Sequence, residues 1–503
     1  MSRMPKLEWV APRAMRSAPM PVTELTPAPW RAIGEALAAG RVELLGLWAE
    51  EEGVSAALRD PAAGQVALAH LRARRGAVPA LGALHPPAQR LERAAADLAG
   101  LRFEDAPDPR PWLDHGRWPI AHPLGAATPH PGLEPYAFLP VEGEGLHRVP
   151  VGPVHAGIIE PGHFRFTAQG ETVVRLEERL GYKHKGIERL LQGADLARGA
   201  QIAGRISGDS TVAYAWAFAQ ALEAAWQVEV PPRALYLRAI MAELERLANH
   251  LGDFGAICND AAFAMMLAHA GALREEVLRA AKAAFGHRFM RDRVVPGGVA
   301  ADLEPAGEAA LRDLLARLRE AFPPLVELYD GTPSLLDRTV GTGRVAPELA
   351  RRFAAGGHVG RASGRDFDTR RDLPYAPYDR LRFEVPVRSE GDVNARVWIR
   401  IAEIEQSLSL LNQLLGQLPA GAIRVEPEPP GEPRAGLGLV EAFRGDVLLW
   451  LALDADGRIR RCHARDASWF QWPLLEAAIE GNIIADFPLC NKSFNCSYSG
   501  HDL

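Results

Sequence analysis

The chain has 503 residues, 48% hydrophobic and 24% charged, with a formal net charge of −6. That length exceeds one compact core and implies roughly three domains, and an acidic balance without a basic run excludes a nucleic-acid binder. Four cysteines (Cys258, Cys462, Cys490, Cys496) with no CxxC among them fit a reducing compartment and argue against a disulfide framework, or a structural zinc or iron–sulfur cluster held by this chain alone.

Met1–Ala11 has no apolar signal-peptide core. Residues 28–101 read as a small α+β unit. PAPWRAIGEALAAG predicts a helix with proline near its start, VELLGLWAE and QVALAHL predict strands, and Ala88–Leu101 an amphipathic helix. Eleven prolines between Glu104 and Pro153 predict an extended linker without regular structure. From Gly152 onward helices are expected over Ala168–Gly193, Ala200–Trp226, Pro232–Cys258 and Ala261–Phe285. In the third, Leu237, Ile240, Met241, Leu244, Leu247 and Leu251 recur at helical spacing, and the second is apolar nearly all round. The most apolar window, Phe254–Leu273, carries Asp260 and His269, so no transmembrane span is expected. DVLLWLALDADGRIRRCHARD predicts strand, DADG turn and strand. A short helix over Pro473–Glu480 and an irregular tail, NIIADFPLCNKSFNCSYSGHDL, follow. The fold class is therefore an α+β N-terminal domain (1–103), a Pro-rich linker (104–150) and a mainly helical domain with small β-elements (151–503).

One local feature carries chemistry. GRISGDS, 204–210, heads the most apolar helix, so Ser207, Asp209 and Ser210 either cap that helix or line a site. No GxGxxG follows a strand, which leaves direct NAD binding without support. Basic charge is nearly all arginine, with five lysines among 57, and with abundant alanine this reads as the mark of a GC-rich genome.

Several segments, in order, resemble the large subunit shared by membrane-bound energy-converting nickel–iron hydrogenases and respiratory complex I. GPVHAGIIEPGHFRF (152–166) resembles the family's first hairpin loop, GYKHKGIERL (181–190) its RGxE-type helix, and RAIMAELERLANHLGDFG (238–255) its long central helix. GRASGRDFDTRRDLPYAPYD (360–379) and EAFRGDVLLWLALD (441–454) resemble loops of the complex I form, and QRLERAAADLAGL resembles the small hydrophilic subunit fused ahead of the large one.

The resemblance implies a hydrogenase-large-subunit-like fold and a site made from both ends of its domain. Its two metal-holding CxxC motifs fall on Ser207-Gly208-Asp209-Ser210 and Cys496-Ser497-Tyr498-Ser499. Three of four thiolates are then hydroxyls, which implies that the nickel–iron centre is lost. Gly208 stands where complex I has a quinone-binding tyrosine. Glu188 stands at a proton-relay glutamate; the alternative is a surface carboxylate paired with Lys185 or Arg189, worth under about 1 kcal/mol. Lys185 replaces the usual arginine and loses its bidentate fork. His155 or His163 would lie near a quinone head group, and Arg444, after Phe443 in place of a proline, would lean over the cavity. Cys490 and Cys496 read as isolated thiols.

The function this implies is that of a large, soluble subunit of a complex I-like, hydrogenase-related oxidoreductase, peripheral on the cytoplasmic face of the cell membrane. It would couple electron transfer of the NADH–quinone type to proton or ion movement through groups such as Glu188 and Asp209. Iron–sulfur clusters would lie in a cluster-bearing small subunit, and antiporter-like membrane subunits would be further partners. The chain alone would bind no cofactor, with quinone the candidate ligand. The alternatives are an active nickel–iron hydrogenase large subunit and a non-catalytic coupling scaffold. The resemblance also implies that Ser207, Asp209, Ser210, Cys496 and Ser499 meet in space, with the tail buried and Glu188 one helix away. Leu503 lies so close behind Ser499 that no extension would remain for a maturation protease.

Overall fold

The computed structural model describes residues 4–503, so the first three residues of the segment read for a signal peptide lie outside the described residues. In the N-terminal unit β1 (Val22–Leu25), β2 (Glu43–Glu50), β3 (Gly53–Asp60) and β4 (Gln65–Arg72) form one sheet in the order β1-β4-β3-β2. The β1–β4 pair is parallel and the others are antiparallel. Helix α1 (Pro27–Ala38) starts on prolines, tolerated there because first-turn N–H groups have no intrahelical partner. Helix α2 (Gln89–Ala99) ends on Gly100, which takes the left-handed conformation at φ 75°. The expected helices and two strands are present; β3 is additional, buried along nearly its whole length and lacking the alternation that marks a half-exposed strand.

Two expectations fail around the first hairpin of the large domain. The Pro-rich stretch is largely irregular, yet Leu146–Val151 forms β5, an edge strand on β6 (His163–Gln169). An edge position accommodates Pro150 because one side of the strand needs no donor. Residues 168–193 are not one helix. They continue from β6 through a turn at Gly170, φ 58°, into β7 (Thr172–Arg179), followed by the five-residue α3 (Ile187–Leu191). Thr-Val-Val at 172–174 favours a strand, and positive φ at Gly170, Gly181 and Gly186 breaks any helix there.

The helix expected from Ala200 is also broken. Helix α4 (Leu196–Ala203) stops, GRISGDS forms a loop, and α5 (Thr211–Trp226) begins after it, with all sixteen residues buried. Helix α6 (Pro232–Asp260) packs on α7 (Ala264–Phe285) and presents the predicted leucine-rich stripe to the core. The short α8 (Gly357–Ala362) and α9 (Thr369–Asp372) precede the long α10 (Val393–Gly416), which returns against α6. A three-stranded antiparallel sheet follows: β8 (Arg434–Ala442), β9 (Gly445–Leu453) and β10 (Ile459–Arg465). Three helices close the chain, α11 (Ser468–Ile479), α12 (Phe487–Phe494) and α13 (Tyr498–Asp502). The tail, expected to be irregular, is thus helical and buried. Trp472 of α11 and Phe494 of α12 share one apolar core with Leu91, Trp112 and Phe164, so packing runs across the Pro-rich segment.

The alanine spacing of α5 has a mechanical cause. Ala217 and Ala221 bring the helix backbone so close to β8 that a Cβ on Gly438 or Gly436 would overlap the carbonyl oxygens of those two alanines. Gly438→Ala is therefore expected to destabilise the protein at the upper end of the about 1–3 kcal/mol typical of overpacking. Chemical denaturation measures this, and a wild-type midpoint would refute the close approach.

Candidate functional site

The loop between α4 and α5 is freed from capping duty. The first-turn amides of α5 are capped from another helix: Glu245 of α6 accepts Val212 N at 2.7 Å and Ala213 N at 3.1 Å. Ser210, at the N-cap position, makes no cap bond. The loop's polar side chains turn instead toward the chain's other end.

Arg444, in the two-residue turn between β8 and β9, grips the Asp209 carboxylate through Nη1 at 2.8 Å and Nη2 at 2.5 Å. Ser207 Oγ donates to the same carboxylate at 2.7 Å, and Ser210 Oγ lies 3.3 Å from Arg444 Nη1. The Arg444 Nε donates to the Asn495 carbonyl, while Asn495 Nδ2 donates to Asp253 of α6 at 2.8 Å. Ser207 Oγ and Ser497 Oγ are 2.9 Å apart across 290 residues of sequence. Lys185 Nζ clamps the same seam, donating to Ile206 O at 2.6 Å and Ser499 O at 3.4 Å. The two ends of the large domain do meet, as the resemblance implies.

Desolvation opposes charge on Asp209, whose side chain is still 38% exposed, but the Arg444 guanidinium and its hydrogen bonds outweigh it and hold the carboxyl at about 2. A small cavity of about 20 Å³, room for a water, is lined by Gly208, Asp209, Glu245 and Asn249. Burial, opposed by the two α5 amides, raises Glu245 to about 8.

The donor set does not fit a nickel–iron pair. Ser207 already serves Asp209 and Ser497, the buried Cys496 thiol faces Gln471 Oε1 at 3.9 Å, and burial pushes that thiol well above its ordinary range. Ser499 is tied through its amide to Glu160 Oε2 at 3.0 Å. Hydroxyls stay protonated at neutral pH and cannot act as bridging soft ligands. Cys490 and Cys496 are both free and buried.

The other expected residues lie apart. Glu188 is buried, not a surface carboxylate; it pairs with Arg461 Nη1 at 2.9 Å and His463 Nδ1 at 2.7 Å, both on β10. Arg189 bonds Gln192 instead, and Lys185 goes to the seam. Burial works against the Glu188 charge, yet Arg461 and His463 hold it at about 2. Glu188 makes no hydrogen bond to Asp209. His155 Nε2 and His163 Nδ1 bond carbonyls of their own loop, Gly162 at 2.8 Å and Gly152 at 3.4 Å. That loop still reaches the tail, through Glu160 on Ser499.

Three residues of the site were not expected: Glu245, Asn249 and Asp253. They stand at i, i+4 and i+8 on α6, a polar stripe along one face of the helix, and that spacing is their signal in the sequence. Asn249 Nδ2 donates to Asp209 O at 2.8 Å.

Comparison with known proteins gives three family matches: residues 260–435 to the respiratory-chain NADH dehydrogenase 49 Kd subunit, 185–258 to nickel-dependent hydrogenase, and 57–133 to the respiratory-chain NADH dehydrogenase 30 Kd subunit. The chain is 33% identical over 425 residues to formate hydrogenlyase subunit 5 of Escherichia coli (strain K12), covering 82% of this chain and 74% of that one. It is 31% identical over 350 residues to the carbon monoxide-induced hydrogenase of Rhodospirillum rubrum, covering 69% and 97%. Against a subunit of the NADH-quinone oxidoreductase of Desulfotalea psychrophila identity is 31% over 339 residues, covering 67% and 91%.

Glu188 supplies a test of the site's electrostatics. Its folded value of about 2 lies below the ordinary 4.5, so the stability it contributes is present above pH 4.5 and lost as pH falls through 2. The loss amounts to about 3 kcal/mol. Glu188→Gln is expected to cost about 3 kcal/mol at neutral pH, with the difference from wild type vanishing near the folded value. Denaturant titrations across that range measure it; a pH-independent difference would contradict the pairing.

Proposed function

The chain belongs to the family that unites nickel-dependent hydrogenase large subunits with the 49 kDa subunit of respiratory complex I, and from that premise we propose that it is the large subunit of a complex I-like, hydrogenase-related oxidoreductase without a nickel–iron centre. Its role is to couple electron transfer in a neighbouring cluster-bearing subunit to proton or ion movement in membrane partners of the antiporter type. The observation that carries this reading is the seam itself. Where the family's metal-holding motifs fall, the two ends are joined by Ser207–Ser497 and Asp209–Arg444 and not by thiolates.

The ion pairs constrain how coupling works. Protonating Glu188 at pH 7 from a folded value of about 2 costs about 7 kcal/mol while Arg461 and His463 stay in place. Neither Glu188 nor Asp209 relays protons while these pairs hold. Each becomes a proton acceptor only when its partner moves away, so proton handling is conditional on movement of β10 or of the β8–β9 turn. The same ion pairs favour the second reading, a scaffold that passes conformational change to membrane subunits without handling protons at all. A quinone ring exceeds the water-sized cavity this chain forms beside Asp209, so a quinone site here takes a wall from the partner.

No helix among the described residues is long and apolar enough to cross a membrane, which fits a peripheral place on the cytoplasmic face. The hairpin loop next to the tail exposes Val154 (72%) and Ile158 (84%), apolar groups that suit burial against the small subunit.

The assembly purified from its native host is expected to contain iron and sulfide that track the small subunit, and no stoichiometric nickel. Elemental analysis decides it: stoichiometric nickel would overturn the reading. Val154→Asp with Ile158→Asp is expected to release the small subunit on size-exclusion chromatography while the chain itself stays folded.

A further inference from the structure

Beside the seam, α6, α8, α9, α10 and β8 bury a second charged cluster. Arg361 donates to Glu403 at 2.6 and 2.9 Å and to Glu441 at 2.9 Å. Arg370 donates to Asp368 at 2.7 and 3.0 Å and to Glu243 at 2.9 Å. Arg246 reaches Glu403 at 3.3 Å and Glu243 at 3.5 Å, and Asp368 lies 3.4 Å from Arg361. All seven residues are 3% exposed or less.

The cluster does not balance. Three guanidiniums (Arg246, Arg361, Arg370) face four carboxylates (Glu243, Asp368, Glu403, Glu441). No further cation contacts these carboxylates: Arg400 pairs with Asp253 at 3.1 Å, Arg465 pairs with Asp446, Arg365 shares Glu43 with Arg59, Arg16 donates to Gln220 and to the Leu439 and Leu373 carbonyls, and burial keeps His250 below its ordinary range despite its 2.8 Å bond to Glu403. A net buried negative charge costs several kcal/mol, and one proton removes it. Hydrogen bonding says where the proton sits. Glu403 receives Arg361 twice, Arg246 and His250; Glu243 receives Arg370, Tyr378 Oη at 2.6 Å and Ser407 Oγ at 2.6 Å; Asp368 is gripped by both Arg370 donors. Glu441 has one guanidinium contact and the Thr369 amide at 2.9 Å. It is the least compensated.

The cluster also has a way out. Arg370 and Tyr378 line a surface cleft of about 840 Å³ together with Arg371, Asp379, Arg382 and Gln406. Tyr375, 5.2 Å from Tyr378 ring to ring, sets its hydroxyl 3.2 Å from the Glu441 amide. In the other direction Arg246 donates to the Glu441 carbonyl at 2.8 Å and the Ala442 carbonyl at 3.2 Å, the backbone that leads into the turn carrying Arg444.

We propose that this cluster is a one-proton store, with the proton held on Glu441, exchanged with solvent through the cleft at Tyr378, and linked to Arg444 through Arg246. The proton enters from bulk water at the cleft, ends on a Glu441 carboxyl oxygen and leaves by the same route. The inference deepens the proposed coupling role, but its test involves no turnover, so either can fail alone. Several groups face Glu441. Burial and the Asp368 charge raise it, Arg361 opposes them, Asp446 adds to the rise and Arg246 to the opposition, which together leave it at about 7. Arg16 lies over Tyr375 at 4.6 Å from above.

Infrared titration of the full chain tests the store. A protonated-carboxyl band is expected in the wild-type minus Glu441→Gln difference spectrum on the acid side of neutrality, disappearing on the alkaline side. Glu245, held at about 8, contributes its own band to both proteins, so a difference spectrum without a titrating band overturns the assignment. Tyr378→Phe should keep the band but slow its exchange in heavy water several-fold; unchanged exchange overturns the cleft route. Stability gives an independent readout with a definite sign. A carboxyl raised from 4.5 to about 7 on folding binds an extra proton in the folded state, so its contribution falls as pH rises through that window. The melting temperature of Glu441→Gln relative to wild type should therefore climb from the acid to the alkaline end of the window. A constant difference would mean a merely structural hydrogen bond and overturn the store. Should Glu441→Gln fail to fold, the difference spectrum against Glu441→Asp, which displaces the band, and Tyr378→Phe still decide the question.

Discussion

A guanidinium buried away from water must find acceptors, because its charge cannot be removed by deprotonation and leaving it uncompensated costs several kcal/mol. Arg238, Arg246, Arg361, Arg396, Arg400 and Arg465 are all 1% exposed or less, and the places where each finds its acceptors determine which segments lie together. Arg238 joins α6 to α5 through Glu223. Arg396 joins α10 to α12 through Ser493 and to the Gly343 and Gly391 carbonyls. Arg465 and Arg461 reach back from β10 to the Leu45 and Ala49 carbonyls of β2, which fastens the N-terminal sheet to the large domain. A planar fork with several donors can serve two or three acceptors at once, which a lysine ammonium on a flexible stem does less well. The arginine-for-lysine bias, which composition alone ascribes to a GC-rich genome, therefore has structural consequences throughout the core.

That constraint also explains what the sequence makes legible. The leucine stripe of α6 and the all-round apolarity of α5 are periodic, local signals, and both helices form where those signals lie. The break at 204–210 and the hairpin at 163–179 are set by few residues: a cluster of Gly, Ser and Asp in the first case, a left-handed Gly170 in the second. Window-based periodicity averages over both. The partners of buried charges are legible least of all. Nothing near Glu188 in the sequence points to Arg461 and His463, more than 270 residues away, so a surface pairing with Lys185 or Arg189 is the natural local reading and the wrong one. Glu245, Asn249 and Asp253 were readable in principle, since three polar residues at helical spacing on a buried helix need a reason.

The tail shows the same division from the opposite side. By composition NKSFNCSYSGHDL has the marks of a frayed terminus, and only the resemblance to a family whose two metal motifs converge implies that it is buried. The structure gives the physical reason: Ser497 Oγ takes both Ser207 and the Gly500 amide, and His501 stacks on Trp469 at 4.0 Å. These are tertiary contacts with no local signature.

The chemistry of the seam decides how movable it is. A metal held by thiolates locks its ligands together strongly; structural zinc sites, the nearest measured comparison, contribute about 10–16 kcal/mol. Hydrogen bonds contribute about 1 kcal/mol each, and about 1.5–3 when one group is charged. Replacing thiolates by Ser207, Ser210 and Ser499, and joining the ends through Asp209, Arg444 and Ser497, exchanges a lock for a latch. Such a latch can open within the few kcal/mol that separate ordinary conformational states. Arg444 has two acceptors ready, the Asp209 carboxylate and the Asn495 carbonyl, so release of one need not strand its charge. The same turn is approached from behind by Arg246, which holds the carbonyls of Glu441 and Ala442. A change of charge on either side of the turn therefore acts on one guanidinium, which is the physical form that the proposed metal-free coupling would take.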